Sequence, residues 1–146
     1  MSSESGAGDA RDDRDALPWA ALRAAALAAR EHAYAPYSHY RVGAALLDQA
    51  GQIHAGANVE NASYGLCLCA ERSAFARAIA DGVTAFRAIF VVTQGALPGT
   101  PCGMCRQVLA ELAPGIPVRC ETVDGARLDT DVATLLPHAF DAERLT

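Results

Sequence analysis

The residues whose types and spacing could do chemistry are Cys102-Gly-Met-Cys105, directly after Pro101, and Cys69-Ala-Glu71 earlier in the chain. A Cys-x-x-Cys taken alone admits a redox dithiol, a pair of metal ligands or a chance spacing. Cys102 stands at the start of a helix predicted over 103–112, where backbone N–H groups and the helix dipole stabilise a thiolate. Cys69 stands at the start of a second, predicted over 70–80. Three thiolates leave one tetrahedral position open, which is the pattern of a catalytic zinc site rather than a closed structural one. The expectation is one zinc ion per chain on Cys69, Cys102 and Cys105. In a helix interior residues two apart do not share a face, so Cys69 and Glu71 converge only because a first turn is irregular.

Zinc lowers the pKa of a bound water from near 15.7 toward about 7, and a carboxylate in hydrogen-bond reach can take the released proton and pass it on. Glu71 is the expected catalytic acid and base: it protonates a ring nitrogen of an amidine-like substrate and then helps expel ammonia. Three thiolates on zinc leave a net negative charge, which Arg72 and two helix N-termini are placed to offset; Arg72 is expected to hydrogen-bond the ligand sulfurs. Cys67 and Cys120 read as small buried apolar residues, and a fourth ligand from Cys67 would remove the water position. None of the four histidines stands two residues before Glu71, so the centre is of the three-cysteine kind.

The elements that must position these groups can be read from periodicity. Trp19, Leu22, Ala26, Ala29 and Ala33 recur at helical spacing after Pro18 and before Pro36. Val42 to Leu47 and Ile53 to Val59 flank Asp48-Gln-Ala-Gly-Gln52 and predict a hairpin with Gly51 at the turn. Ala74, Phe75, Ala78 and Ile79 define the inner face of the 70–80 helix, closed by Gly82. Phe86 to Val92 is a buried strand, Val118 to Glu121 another, and 131–136 a last helical turn. Val108, Leu109 and Leu112 face inward on the 103–112 helix, which Pro114-Gly115 stops. This order predicts an α/β fold, a mixed sheet with helices on its faces.

A chain of 146 residues is one compact domain's length; 1–15, rich in Ser, Gly, Asp and Arg, reads as a flexible tail, and 16–146 as the catalytic domain. All 12 basic residues are arginines, and the formal charge of −5 argues against a nucleic-acid substrate. No stretch reaches the roughly 18 apolar residues of a membrane span. No secretory signal opens the chain and its five cysteines are an odd number, so a soluble, cytoplasmic protein without a disulfide framework is expected.

Cys-x-Glu followed by Pro-Cys-x-x-Cys is the signature of zinc base deaminases. Ala35-Pro-Tyr-Ser38, Val42-Gly-Ala-Ala45, Asn58-Val-Glu-Asn-Ala-Ser-Tyr64, Cys69-Ala-Glu-Arg72, Pro101-Cys-Gly-Met-Cys-Arg-Gln107 and Leu135-Leu-Pro137 stand in the order and spacing of one family. From about Tyr34 to Leu145 the chain resembles the small tetrameric cytidine deaminases of nucleoside salvage. The resemblance implies a three-layer αβα sandwich on a mixed five-stranded sheet, and deamination of cytidine and 2′-deoxycytidine in a homotetramer with shared active sites. It implies that Asn58 and Glu60 bind the ribose hydroxyls, that the Ala70 carbonyl meets the departing amino group, and that Phe140 reaches a neighbouring subunit's base. Asn58 and Glu60, two apart at a strand end, share a face and offer donor and acceptor to a diol. Tyr40 stands where the family usually has a phenylalanine beside the substrate, and Phe140-Asp-Ala-Glu-Arg-Leu145 departs from the family's usual ending. The alternative enzyme is a deaminase of a cytosine nucleoside antibiotic, like the blasticidin S deaminases. A structural zinc knuckle is the non-enzymatic alternative, in which Glu71 would have no task.

Overall fold

The computed structural model describes residues 13–146. The expected tail therefore lies outside the described residues except at 13–15, where the Arg14 carbonyl accepts the Trp19 indole N–H at 2.7 Å and Arg14 pairs with Asp131 at 3.2 Å.

Helix α1 (Trp19–Arg30) is followed by strands β1 (Gly43–Asp48) and β2 (Ile53–Ala57), helix α2 (Ala70–Ala80), strand β3 (Phe86–Thr93), helix α3 (Gly103–Leu112), strands β4 (Pro117–Thr122) and β5 (Arg127–Asp131), and the short helix α4 (Val132–Leu135). One five-stranded sheet runs β2-β1-β3-β4-β5. Only β3 and β4 are parallel, joined through α3; the other three pairings are antiparallel. β1 is buried along its whole length because both faces are covered. Alternation divides it: Ala45 and Leu47 pack with Trp19, Leu22 and Phe90 under α1, whereas Ala44 and Leu46 pack with Phe75, Ile89, Val91 and Leu109 under α2 and α3. The three expected layers are thus present.

Two glycines set the layer spacing. A Cβ on Gly43 would lie 1.9 Å from the Ala26 carbonyl oxygen, and one on Gly56 2.4 Å from the Ala74 nitrogen and 2.8 Å from the Ala70 oxygen. Both helices therefore rest directly on strand backbone, as the alanine-rich faces of α1 and α2 allow.

The hairpin turn is built by Asp48, whose Oδ1 accepts from the backbone of Ala50 and Gln52 at 2.8 and 2.9 Å while Oδ2 meets His54 Nε2 at 2.8 Å. Gly51 takes φ 86° there.

Two local expectations change, and one strand is added. α1 ends at Arg30, before Ala33, because Tyr34 leaves the helix to bridge Val59, donating to the Asn58 carbonyl and accepting from Glu60 N–H. Ile79 is 42% exposed, since the inward stripe of α2 is centred on Ala70, Ala74, Phe75 and Ala78 and Ile79 lies at its edge. β5 carries no hydrophobic alternation, being a mostly exposed edge strand.

Candidate active site

Cys69 is the N-cap residue of α2 and Cys102 the N-cap of α3; both have extended backbone, and neither side chain caps its own helix. Each sulfur is free to turn toward the other helix, and the two stand 3.6 Å apart. Cys105, in the first turn of α3, is buried, and all three sulfurs fall within 4.8 Å of one another. A tetrahedral centre with bonds of about 2.3 Å separates its sulfurs by about 3.8 Å, so the trio fits zinc with little movement. Cys102 and Cys105 come from α3 and its N-cap and Cys69 from the N-cap of α2, and Cys69 and Cys102 both border a cleft.

The electrostatics favour a thiolate at Cys69. Hydrogen bonding from Cys105 pulls the Cys69 thiol down to about 5 against the desolvation that opposes it, and the Arg72 guanidinium adds to the effect. Cys105 is correspondingly held as the thiol that donates to Cys69. Arg72 Nη2 lies 3.5 Å from Cys69 Sγ and donates to the Cys67 carbonyl at 3.3 Å, while its buried Nε has no partner. The expected contact of Arg72 with a ligand sulfur is thus in place at Cys69.

Glu71 follows Cys69 in the first turn of α2 and is 5% exposed. Burial raises its carboxyl above the ordinary range, and the Cys69 charge pushes the same way. A buried carboxyl with raised proton affinity, next to the sulfur cluster, is suited to proton transfer in both directions.

These groups open on a cleft of about 260 Å³ lined by Tyr40, Asn58, Glu60, Cys69, Ala70, Glu71 and Cys102, among others. Asn58 and Glu60 flank Val59, whose backbone bridges Tyr34 on one side and Leu68 on the other, so the two side chains share a face as expected. Asn58 Oδ1 accepts from Val42 N–H at 2.9 Å and its Nδ2 donates to the Tyr40 carbonyl at 2.8 Å. Glu60 Oε1 accepts from the N–H groups of Tyr37 and Ser38 at 3.0 and 3.1 Å, and Oε2 accepts from the Ser38 hydroxyl. Those bonds, the Ser38 hydroxyl first, hold its carboxyl below the usual range.

Two residues stand differently. Phe140 lies outside this cleft within its own chain, 58% exposed, with its carbonyl accepting from Gln107 Nε2 at 2.8 Å. Cys67 is half-buried rather than packed in the core: it lines the cleft and bonds to the Asn61 backbone, outside the sulfur cluster, whereas Cys120 is fully buried as expected. Sequence reasoning missed the supporting residues Tyr37, Ser38, Thr93 and Gly99. Tyr37 and Ser38, within a quoted motif, carried a signal; Thr93 and Gly99 become visible when the Gly99 N–H is seen donating to Thr93 Oγ1 at 2.9 Å along the cleft wall.

A three-sulfur centre with an adjacent buried carboxyl, set on two helix N-termini beside a mixed sheet, defines the class of zinc-dependent hydrolytic deaminases. The cytidine and deoxycytidylate deaminase zinc-binding region matches residues 20–118, and the chain belongs to that family. It is 50% identical over 119 residues to the cytidine deaminase of Sporosarcina psychrophila, covering 81% of this chain and 88% of that one. The cytidine deaminase of Mycobacterium tuberculosis H37Rv is 39% identical over 129 residues, covering 88% of this chain and 94% of the relative. Among solved structures, cytidine deaminase from Burkholderia pseudomallei superposes with a TM-score of 0.80 at 50% identity, over 83% of this chain and 98% of that one. The Mycobacterium leprae cytidine deaminase gives 0.73 at 40% identity, over 84% and 99%.

Proposed function

We propose that this chain converts cytidine and 2′-deoxycytidine, with water, to uridine and 2′-deoxyuridine and ammonia, as a cytoplasmic enzyme of pyrimidine salvage. The observation that carries this reading is the cleft lined by Cys69, Cys102, the buried Glu71 and the Asn58–Glu60 pair, with the buried Cys105 sulfur within 4.8 Å of the other two. Relatives at 50% identity bearing the name cytidine deaminase support the choice of base.

Cys69, Cys102 and Cys105 hold one zinc ion, which supplies the Lewis acidity that activates water near neutral pH. Glu71 takes a proton from the attacking water and delivers it to the ring nitrogen as the new C–O bond forms at the amidine carbon. It then takes the proton of the added hydroxyl and carries it to the exocyclic amine as the C=O forms, the C–N bond breaks and ammonia leaves. The Ala70 carbonyl, in the turn between Cys69 and Glu71, accepts from that amine. Asn58 and Glu60 bind the ribose diol; their bonds to Val42, Tyr40, Tyr37 and Ser38 fix them before substrate arrives, which lowers the ordering entropy of binding. Arg72 offsets thiolate charge beside Cys69.

Tyr40 lines the aromatic side of the cleft, and Phe140 serves the site of a neighbouring copy in a homotetramer. The exposure of Phe140, together with that of Tyr34, Tyr37, Tyr64 and Leu66, supports an assembly in which these side chains are covered. No helix among the described residues is long and apolar enough to cross a membrane, and the acidic balance supports a free nucleoside rather than a polynucleotide as substrate. The test is spectrophotometric: zinc-loaded protein should bleach the cytidine absorbance band, and no turnover by a preparation with one zinc per chain would overturn the reading.

A further inference from the structure

Arg106 follows Cys105 directly and spends three of its nitrogens on three acceptors in two segments. Its Nε donates to the Pro101 carbonyl at 2.7 Å, Nη2 to the Thr100 hydroxyl at 3.0 Å, and Nη1 to the Leu135 carbonyl at 2.9 Å. The first two acceptors belong to the loop that delivers Cys102; the third belongs to α4, remote in sequence. All three are neutral, and among the described residues no carboxylate lies within ion-pair distance of Arg106. A guanidinium in such a place acts by its rigid fork, since one planar group fixes several acceptors relative to one another.

The need for such a fork follows from how Cys102 is held. It is an N-cap residue whose side chain makes no cap bond, and it stands exposed with Thr100 at the cleft edge; besides the buried Pro101 ring and the Gly99 N–H bond to Thr93, the Arg106 fork is what ties this loop to α3 and α4. Cys105, by contrast, is fixed by burial. The adjacent Gln107 adds a bond from α3 to the Phe140 carbonyl, so the turn that carries Cys105 also grips the C-terminal segment at a second point.

We propose that Arg106 is a positioning residue for the metal centre, which locks the Thr100–Cys102 loop to α3 and α4 and so sets Cys102 against Cys69. The proposal rests on the reading of Cys69, Cys102 and Cys105 as ligands. It assigns the Arg106 charge no direct contact with substrate, and it accounts for the Leu135-Leu-Pro137 motif as the far anchor of the metal loop.

The test is metal affinity, measured on the full chain by competition with a chromophoric zinc chelator, for the parent and for Arg106→Lys and Arg106→Met. Loss of outer-shell support typically weakens a metal site by about 10–100-fold. Both variants should fall in that range, with Arg106→Lys recovering only a small part, because an ammonium carries the charge without the fork. Cobalt-loaded variants should show a shifted or weakened thiolate-to-metal absorption band. Parental affinity and an unchanged cobalt spectrum in either variant would overturn the proposal, as would full rescue by lysine. Absence of metal binding by the parent would overturn the ligand reading instead, and the proposal with it. A measurement on the unaltered chain covers variants that fail to fold: removing zinc should speed amide hydrogen exchange in 132–137 if Arg106 ties α4 to the loop, and unchanged exchange there counts against it.

Discussion

Cys69 and Cys102 hold the same position in two different helices: each is an N-cap in extended conformation, and their sulfurs approach to 3.6 Å. A cap residue ordinarily turns its side chain back onto the free N–H groups of its own first turn. Here both turn outward, so two helix N-termini face one point with their N–H groups and partial positive charge. The pair explains how a cluster of sulfurs is tolerated without histidine.

Replacing Glu71 by glutamine should leave zinc content and the folded state unchanged while lowering kcat by about 10²–10⁴-fold, since the amide keeps the shape but cannot move a proton. Zinc analysis and the cytidine assay on the same preparation check both halves. Near-parental turnover would remove Glu71 from the role proposed for it.

Glu60→Gln should act on KM. The substituted amide cannot accept from all three donors of Tyr37 and Ser38 that now converge on the carboxylate, and it offers the ribose a neutral acceptor in place of a charged one. KM for cytidine should therefore rise by ~10-fold or more, with kcat much less affected. A fall confined to kcat would contradict a binding role.

Gly56→Ala probes the contact between the sheet and the catalytic turn. The added methyl meets the Ala70 oxygen and the Ala74 nitrogen well inside contact distance, so α2 must shift outward. Overpacking of this kind costs about 1–3 kcal/mol, readable in a urea unfolding curve. Because the Ala70 carbonyl moves with the helix, kcat should fall in the molecules that remain folded.

The hairpin turn gives a pH signature. The His54 hydrogen bond, helped by the N–H groups of Gln52 and Ala50, holds the Asp48 carboxyl below its ordinary range despite the opposing effect of burial. A carboxyl with a depressed folded-state pKa contributes stability above its unfolded pKa and loses it as pH falls through the folded one. Asp48→Asn should thus destabilise most near pH 7, and parent and variant should converge as pH falls through the depressed folded-state pKa. Parallel curves across that range would mean that Asp48 does not act through its charge.

The assembly can be tested through Phe140. Light scattering should give a mass four times that of the 15.2 kDa chain. Phe140→Ala should keep that mass and raise KM, as loss of an aromatic contact to the base would. A monomer with full activity would contradict the shared-site arrangement.

Much of this was legible in the sequence. The bounds of α2 and α3 follow from apolar spacing and from Gly82 and Pro114, and the sulfur-carboxyl cluster follows from ligand chemistry on two helix starts. The Asn58–Glu60 face also follows, though its maker is the isolated bridge at Val59 rather than continuous β2. β5 was not legible because an edge strand of sequence Arg127-Leu-Asp-Thr-Asp131 buries almost nothing. Arg106 was visible as a motif member, yet its bond to Leu135 joins segments that only tertiary folding brings together.

Asn58, Glu60, Cys69 and Glu71 arrive from the β1–β2 side of the molecule, and Cys102 and Cys105 from the β3–α3–β4 side. The β1–β3 ladder, which sets Ala45 opposite Phe90, is the seam between these halves. A slip of one residue along that seam would displace one half by about 3.4 Å, comparable with the 3.6 Å between the two N-cap sulfurs. Metal retention is therefore a gauge of strand alignment: a chain that has paired its central strands one step out of place presents two separate fragments of a site, and its zinc content records the error.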